Sequence, residues 1–270
     1  PARRGAEGIE TYVGGITVKR LLITICGRAG SKGFKNKNLK TFCDKPLVYY
    51  TLAAACLFKS RRPDVAVDIC LNTDSELLVE IVKAKYPEVT YIPREAALCG
   101  DTVPKMAVFQ HSLREMERKT GRTYDYLMDL DITSPLRTAQ DVENAFDTKD
   151  ARRDLDLVFS VTEARRNPYF NMVKAVGDHV EKVIASPFTA RQQAPAIFDL
   201  NASIYVFRRD FLANNRTGIL WDGKIGVSKM LDTGILDIDS EEDFRLMEVI
   251  ARYLYDSNPD FAAVRAAIRG

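Results

Sequence analysis

The chain has 270 residues, a length between one large domain and two small ones and enough to bury a substantial core without disulfide or metal staples. Lys+Arg 39 against Asp+Glu 37 leaves a formal net charge of +2, and 46% hydrophobic residues complete the profile of an ordinary globular protein rather than a disordered or fibrous one. That balance excludes attraction of the whole surface to nucleic acid or to a membrane, so only a local concentration of charge can mark an acidic ligand.

Residues 1–15 are glycine-rich and mixed in charge and read as a poorly ordered extension, so 1–19 are set apart from the fold. From Arg20 onward, short apolar β-rich runs alternate with segments of helical period, the pattern of an α/β domain with a mainly parallel sheet. Leu21–Cys26 reads as a buried strand, Pro46–Lys59 as a helix with proline in its first turn, Val65–Leu71 as a strand and Ser75–Lys85 as a helix. A short strand at Thr90–Ile92 precedes a helix that Thr102 can cap and that runs to about Lys119, followed by a strand at Tyr126–Leu130. Thr138-x-x-Asp141 has the spacing of a capping box and predicts a helix over Ala139–Lys149, with a strand at Leu157–Val161 after it.

The rhythm then changes. Asn171–Val176 and His179–Ile184 flank Gly177-Asp178, a hairpin signal, and Pro168, Pro187 and Pro195 punctuate the stretch, so 162–200 reads as a β-rich excursion from the main sheet. Ser203–Phe207 returns as a strand, and Ser240-x-x-Asp243 opens a helix with Phe244, Met247, Ala251 and Leu254 on one face. The main domain is thereby set at 20–256, with 257–270 as a helical tail.

Five cysteines cannot all pair, and most lie in or beside apolar stretches, which suits reduced thiols in the cytoplasm. No CxxC occurs, and with only two histidines a zinc site is not expected; His111 and His179 read as structural or solvated. No run approaches the ~18 consecutive apolar residues of a membrane span.

The chemistry concentrates between Arg28 and Lys40. Arg28, Lys32, Lys35, Lys37 and Lys40 stand there with no acidic residue until Asp44, around Gly27, Gly30 and Gly33 and directly after a strand. Glycines let main-chain N–H groups approach a ligand and the cations neutralise it, so the loop suits a triphosphate. It has neither Walker A nor G-x-G-x-x-G spacing. Interleaved aromatics and a second basic stripe are missing, which argues against nucleic acid. Two Asp-x-Asp pairs, Asp129/Asp131 and Asp237/Asp239, complete the inventory; on an extended chain each pair points to one face and can share a Mg²⁺ ion. On spacing alone a solvated Asp237 with Asp239 beside the Ser240 cap is an equal alternative, and Asp131 is open between ligand contact and a turn-forming bond to Thr133 or Ser134.

Arg28-Ala-Gly-Ser-Lys-Gly33 with Lys37-Asn38-Leu39-Lys40 and Lys45-Pro46-Leu47 resembles the opening of acylneuraminate cytidylyltransferases, the CMP-sialic acid synthetases and their bacterial relatives. Arg94 with Cys99-Gly-Asp-Thr102, Thr133-Ser-Pro-Leu-Arg137, Asn167-Pro-Tyr-Phe-Asn171, Arg191-Gln192, Asn201-Ala-Ser-Ile-Tyr205 and Asp237-Ile-Asp-Ser-Glu-Glu-Asp-Phe244 follow in the family's order. The resemblance implies a Rossmann-like three-layer α/β/α nucleotidyltransferase that joins CTP to a nine-carbon α-keto acid sugar and releases pyrophosphate, with Mg²⁺ (or Mn²⁺) as cofactor and the excursion serving dimerisation. It implies catalytic roles for Arg28, Lys37 and Asp237. Arg28, Gly30, Ser31, Lys32, Lys37, Asn38 and Arg94 would bind the nucleotide. Asp131, Thr133, Ser134, Arg191, Gln192, Asn201 and Arg165 would face the sugar, Arg165 or Arg166 acting across the dimer. Metal would fall to Asp237 and Asp239, with Asp131 a further ligand to consider. Two alternatives stay open, a synthetase for the eight-carbon sugar Kdo and a catalytically silent nucleotide-sugar binding protein. Asp131 stands where the family has Gln, which exchanges a possible donor for an acceptor.

Overall fold

A strand buried on both faces needs a nearly continuous apolar run, and Leu21, Leu22, Ile23 and Ile25 provide it with no solvent exposure, broken only by the buried Thr24. The computed structural model, which describes residues 12–13, 16–30, 34–100, 102–235 and 237–270, places them in β1 (Lys19–Cys26), an interior strand of a seven-stranded sheet. The other sheet strands are β2 (Val65–Thr73), β3 (Thr90–Pro93), β4 (Tyr126–Leu130), β5 (Leu157–Glu163), β8 (Phe198–Arg208) and β9 (Ile225–Lys229). Their order is β9-β5-β8-β4-β1-β2-β3, parallel throughout except for β8, which runs antiparallel to both neighbours. The mainly parallel three-layer α/β/α fold expected from the sequence is therefore present.

Alternation along the strands divides the core. Leu21, Ile23, Ile25, Met128 and Leu130 face one layer, formed by helices α1 (Leu47–Arg61), α2 (Glu76–Lys85), α4 (Ala139–Ala151), α6 (Glu241–Ser257) and α7 (Pro259–Ala266). Leu22 and Leu127 face the other, covered by α3 (Lys105–Thr120) and the short α5 (Arg209–Asn214). Helix α1 is apolar all round and is buried on all sides, as that composition requires. Segment 257–270 contributes Phe261, Val264 and Ile268 to this same core.

Thr138 and Asp141 close a reciprocal capping box at the start of α4, and Ser240 and Asp243 do the same for α6. Thr102 does not cap α3: the helix begins at Lys105, Pro104 takes the capping position, and no side chain accepts a bond there. Pro46 likewise precedes α1 rather than lying inside its first turn. At the amino end, Tyr12–Val13 pairs with Ile16–Thr17 and β1 starts at Lys19, so order sets in earlier than the composition of 1–19 suggests; the rest of that stretch lies outside the described residues. The excursion is narrower than expected, because β5 and β8 remain paired out to Phe198↔Glu163. Within it β6 (Val173–Val176) and β7 (His179–Lys182) form the anticipated hairpin, turning at Gly177 with a φ of +62°.

Candidate active site

The parallel strands β1, β2, β3 and β4 all deliver their carboxyl ends to one edge of the sheet, where open α/β sheets bind ligands. A cavity of about 610 Å³ lies there. Arg28, Lys37 and Arg94 line it as cations, Asp129, Asp131 and Thr133 come from the end of β4, and Asp237 and Asp239 come from the loop before α6.

The loop after β1 is held close to the sheet by its first glycine. A Cβ at Gly27 would stand 2.8 Å from the ends of both the Ile132 and Leu78 side chains and 3.2 Å from the Asn38 amide, so a larger residue would have to push these side chains aside. The Ala29 amide donates to Asp74 at 2.7 Å, while Gly30 takes a φ of +70°. Asn38 donates to the Arg28 carbonyl at 3.2 Å and so fixes the loop's main chain beside the cavity. Ser31 and Lys32 lie outside the described residues. Arg94 is oriented by Asn72, its Nε at 2.8 Å from the side-chain oxygen and an Nη at 3.0 Å from the carbonyl. Asn72 is steadied in turn by Ser112 and His111, and His111 is buried in that structural role.

Asp237 and Asp239 alternate about a fully buried Ile238, so both side chains reach the cavity although this segment is not a strand. The Ile238 amide donates to the Thr133 carbonyl at 3.2 Å, which docks the pair beside the end of β4. Lys37 closes the ring from the other side, with Nζ 2.7 Å from the Ile238 carbonyl and 3.3 Å from an Asp239 oxygen. Asp239 is exposed, whereas the Asp237 Oδ1 is buried and accepts no hydrogen bond. Burial first, and then the negative charge of Asp131, push the Asp237 carboxyl above its ordinary range.

The floor carries two further carboxylates. Asp129 is buried against Thr24, which donates to it at 2.9 Å, and burial raises its pKa to about 6 with Asp131 adding to the rise and Lys105 opposing it. Asp131 forms the anticipated turn bond: Oδ1 accepts from the Thr133 amide at 2.9 Å and hydroxyl at 2.7 Å. It also accepts from Lys105 at 2.5 Å, and this lysine, the first residue of α3, is a cavity cation that the sequence reading missed. Burial opposes the ionisation of Asp131, but Lys105 and Thr133 outweigh it and hold the carboxyl well below the usual range. Behind the floor the buried Arg137 bonds the main-chain oxygens of Asp131 and Ser134 and the Ser203 hydroxyl, fixing the Thr133–Arg137 turn.

The residues expected on the sugar side divide into three places. Asp131 and Thr133 are in the main cavity. Ser134 and Asn201 sit behind the turn in a separate recess, where the Asn201 side chain accepts from Ser160 at 2.5 Å across the irregularity in β8. Arg165, Arg191 and Gln192 are on the exposed excursion, Arg165 paired with Asp232 at 2.6 Å and Arg191 bonded to the Arg165 carbonyl.

Cations facing a carboxylate pair at the carboxyl end of a parallel sheet define an α/β nucleotidyltransferase. The architecture agrees: a CMP:2-keto-3-deoxy-manno-octonic acid synthetase complexed with CTP superimposes with a TM-score of 0.61 at 16% identity, over 87% of this chain and 99% of that one. The chain belongs to the cytidylyltransferase family, whose model, described as Cytidylyltransferase, matches residues 22–251. It is similar to post-translational flagellin modification protein B of Campylobacter coli, with 36% identity over 87% of this chain and 96% of the relative. It is also similar to the CMP-N,N'-diacetyllegionaminic acid synthase of Campylobacter jejuni, with 34% identity over 89% of this chain and 99% of the relative.

Proposed function

We propose that this cytidylyltransferase couples CTP to a nine-carbon α-keto acid sugar of the legionaminic type, giving the CMP-sugar and pyrophosphate. The observation that carries the reading is the cavity in which Arg28, Lys37 and Arg94 face Asp237 and Asp239. The similarity to a CMP-legionaminic acid synthase over almost its whole length supports the choice of acceptor.

In this reading the anomeric oxygen of the sugar forms the new bond to the α-phosphorus, the bond to the pyrophosphate oxygen breaks, and the proton of the anomeric hydroxyl leaves to solvent. The protein's work is alignment and charge stabilisation. Arg28 and Lys37 hold the phosphates, and Arg94, fixed by Asn72, lines the nucleotide side. Asp131 and Thr133 border the space left for the acceptor.

The residues fit a divalent cation such as Mg²⁺. Asp237 presents a buried carboxylate oxygen without a partner, and Asp239 stands at the rim of the same cavity. Mg²⁺ takes few carboxylates and draws its remaining ligands from phosphate and water. When bound, such an ion offsets the charge developing on the leaving pyrophosphate.

We further propose a homodimer joined through the excursion, supported by a hairpin that exposes Val173 and Val180 on one face, 61% and 62% accessible. A two-stranded hairpin is marginal by itself and gains from being covered. A reducing compartment such as the cytoplasm is supported by five free cysteines.

The test is pyrophosphate release from CTP and Mg²⁺ with N,N'-diacetyllegionaminic, N-acetylneuraminic, pseudaminic and Kdo acceptors. Turnover is expected to be fastest with the legionaminic acid. Turnover with Kdo alone overturns the acceptor class, and CTP binding without turnover of any sugar points to the silent binding protein.

A further inference from the structure

The two inner carboxylates of the cavity differ in what remains open on them. Asp131 is engaged by the protein at both oxygens, with Oδ1 receiving two donors from Thr133 and Oδ2 receiving the Lys105 ammonium. Asp237 has a buried oxygen that receives none. The two carboxylates feel one another, since the charge of Asp131 disfavours ionisation of Asp237. A cation entering the cavity therefore finds Asp237 open, and at Asp131 meets the positive charge of Lys105.

Lys105 is well placed to resist displacement. It starts α3 directly after Pro104, and its Nζ is 2.5 Å from Asp131 and 5.9 Å from the centre of the Tyr205 ring, a cation–π distance. The Lys105 side chain is half-exposed, and Asp131, with Asp129 adding, raises its pKa, so it keeps its charge at any physiological pH.

We propose that Lys105 is a positioning residue that serves as the cavity's own counter-ion, keeping Asp131 out of the divalent cation's coordination shell and confining that ion to Asp237 and Asp239. The proposal deepens the function proposed above and rests on its metal reading. It also separates the roles of the two acidic pairs: Asp237/Asp239 receives an exchangeable cation with the nucleotide, and Asp131 is ion-paired with an ammonium of the chain itself. Removing Lys105 leaves the cavity one negative charge richer and opens Asp131 Oδ2 beside Asp237, so the protein gains affinity for divalent ions without nucleotide.

The experiment is Mn²⁺ binding to the full chain, followed by electron paramagnetic resonance and calorimetry with and without CTP. Nucleotide-free Mn²⁺ affinity is expected to rise tenfold or more in Lys105→Met, to stay within twofold of the unaltered protein in Lys105→Arg, and to fall back in Lys105→Met/Asp131→Asn. Lys105→Ala provides a second neutral variant if the methionine protein does not fold. Unchanged nucleotide-free affinity in the neutral variants, or a gain that persists after Asp131→Asn, overturns the proposal. If the unaltered protein binds Mn²⁺ with CTP and the neutral variants gain nothing, only this inference fails; if it binds none even with CTP, the metal reading fails and takes the inference with it.

Discussion

Lys37 donates to the main-chain oxygen of Ile238 at 2.7 Å, a bond between residues 201 positions apart that ties the glycine-rich loop to the Asp237/Asp239 segment. The same ammonium is 3.3 Å from Asp239, so the phosphate side and the carboxylate side of the cavity share one charge. Lys37→Met removes both links. Stability should fall by about 1–2 kcal/mol, the scale of a charged hydrogen bond at a partly buried site, and kcat/KM for CTP by at least 100-fold. Lys37→Arg should keep part of both. Steady-state kinetics with urea denaturation checks this, and a fall in stability without a fall in kcat/KM would reduce Lys37 to a structural tie.

Asp237→Asn separates function from stability. The carboxylate is held in a place that raises its pKa, by burial first and by Asp131 second, so its ionised form costs the fold free energy at neutral pH. The amide removes that cost, and the variant should melt at the same temperature or higher at pH 7.5 while losing 100-fold or more in kcat. A lower melting temperature at that pH would mean that the charge is compensated in the fold.

The parts of this picture that were legible in the sequence are those written in local signals. Tyr126–Leu130 is a strand at the expected bounds, and the capping boxes at Thr138 and Ser240 start α4 and α6 where their spacing says. The Asp-x-Asp alternation was also legible, because period two holds in any extended chain. Strand β9 was missed: Ile225-Gly-Val-Ser-Lys has only two large apolar residues, and it is held by parallel pairing to β5, an interaction that leaves no local mark. Lys105 was missed for the same reason, since its partner Asp131 lies 26 positions away and nothing in the Pro104-Lys105 step names it. The placement of Asn201 away from the main cavity accompanies the irregularity in β8, again a property of pairing rather than of composition.

Asp129 gives a pH dependence of defined sign. Burial raises its pKa from an ordinary 3.8 to about 6, so in the window between about pH 4 and 6 the folded protein binds more protons at this site than the unfolded chain. Stability contributed by this residue falls as pH rises through that window, approaching roughly 3 kcal/mol of cost above it for a shift of this size. Asp131 has the opposite sign, its lowered pKa giving stability that is present above about pH 4 and lost on further acidification. Asp129→Asn can still accept from Thr24 and should be more stable than the unaltered protein at pH 7.5 but not at pH 4.5. Urea denaturation at both values measures the difference, and an equal gap at the two would show that ionisation of Asp129 is not its source.

Arg137 is the last test, because its effect on the site passes entirely through the main chain. The guanidinium is 1% exposed, and one terminal nitrogen bonds the carbonyls of Asp131 and Ser134 while Nε reaches Ser203 at 3.1 Å. Burial lowers its pKa to about 10, still high enough to keep the charge at neutral pH. Arg137→Met leaves the Ser134 carbonyl without its donor and the Asp131 carbonyl with the Thr51 hydroxyl alone, so a loss of about 1–3 kcal/mol is expected. Arg137→Lys retains the charge but cannot span the turn and the hydroxyl together, and should lose about half as much. Since Asp131 and Thr133 then drift from the cavity floor, KM for the acceptor sugar should rise more than KM for CTP in the lysine variant. Equal rises in the two constants would show that the turn positions the whole cavity rather than its acceptor side.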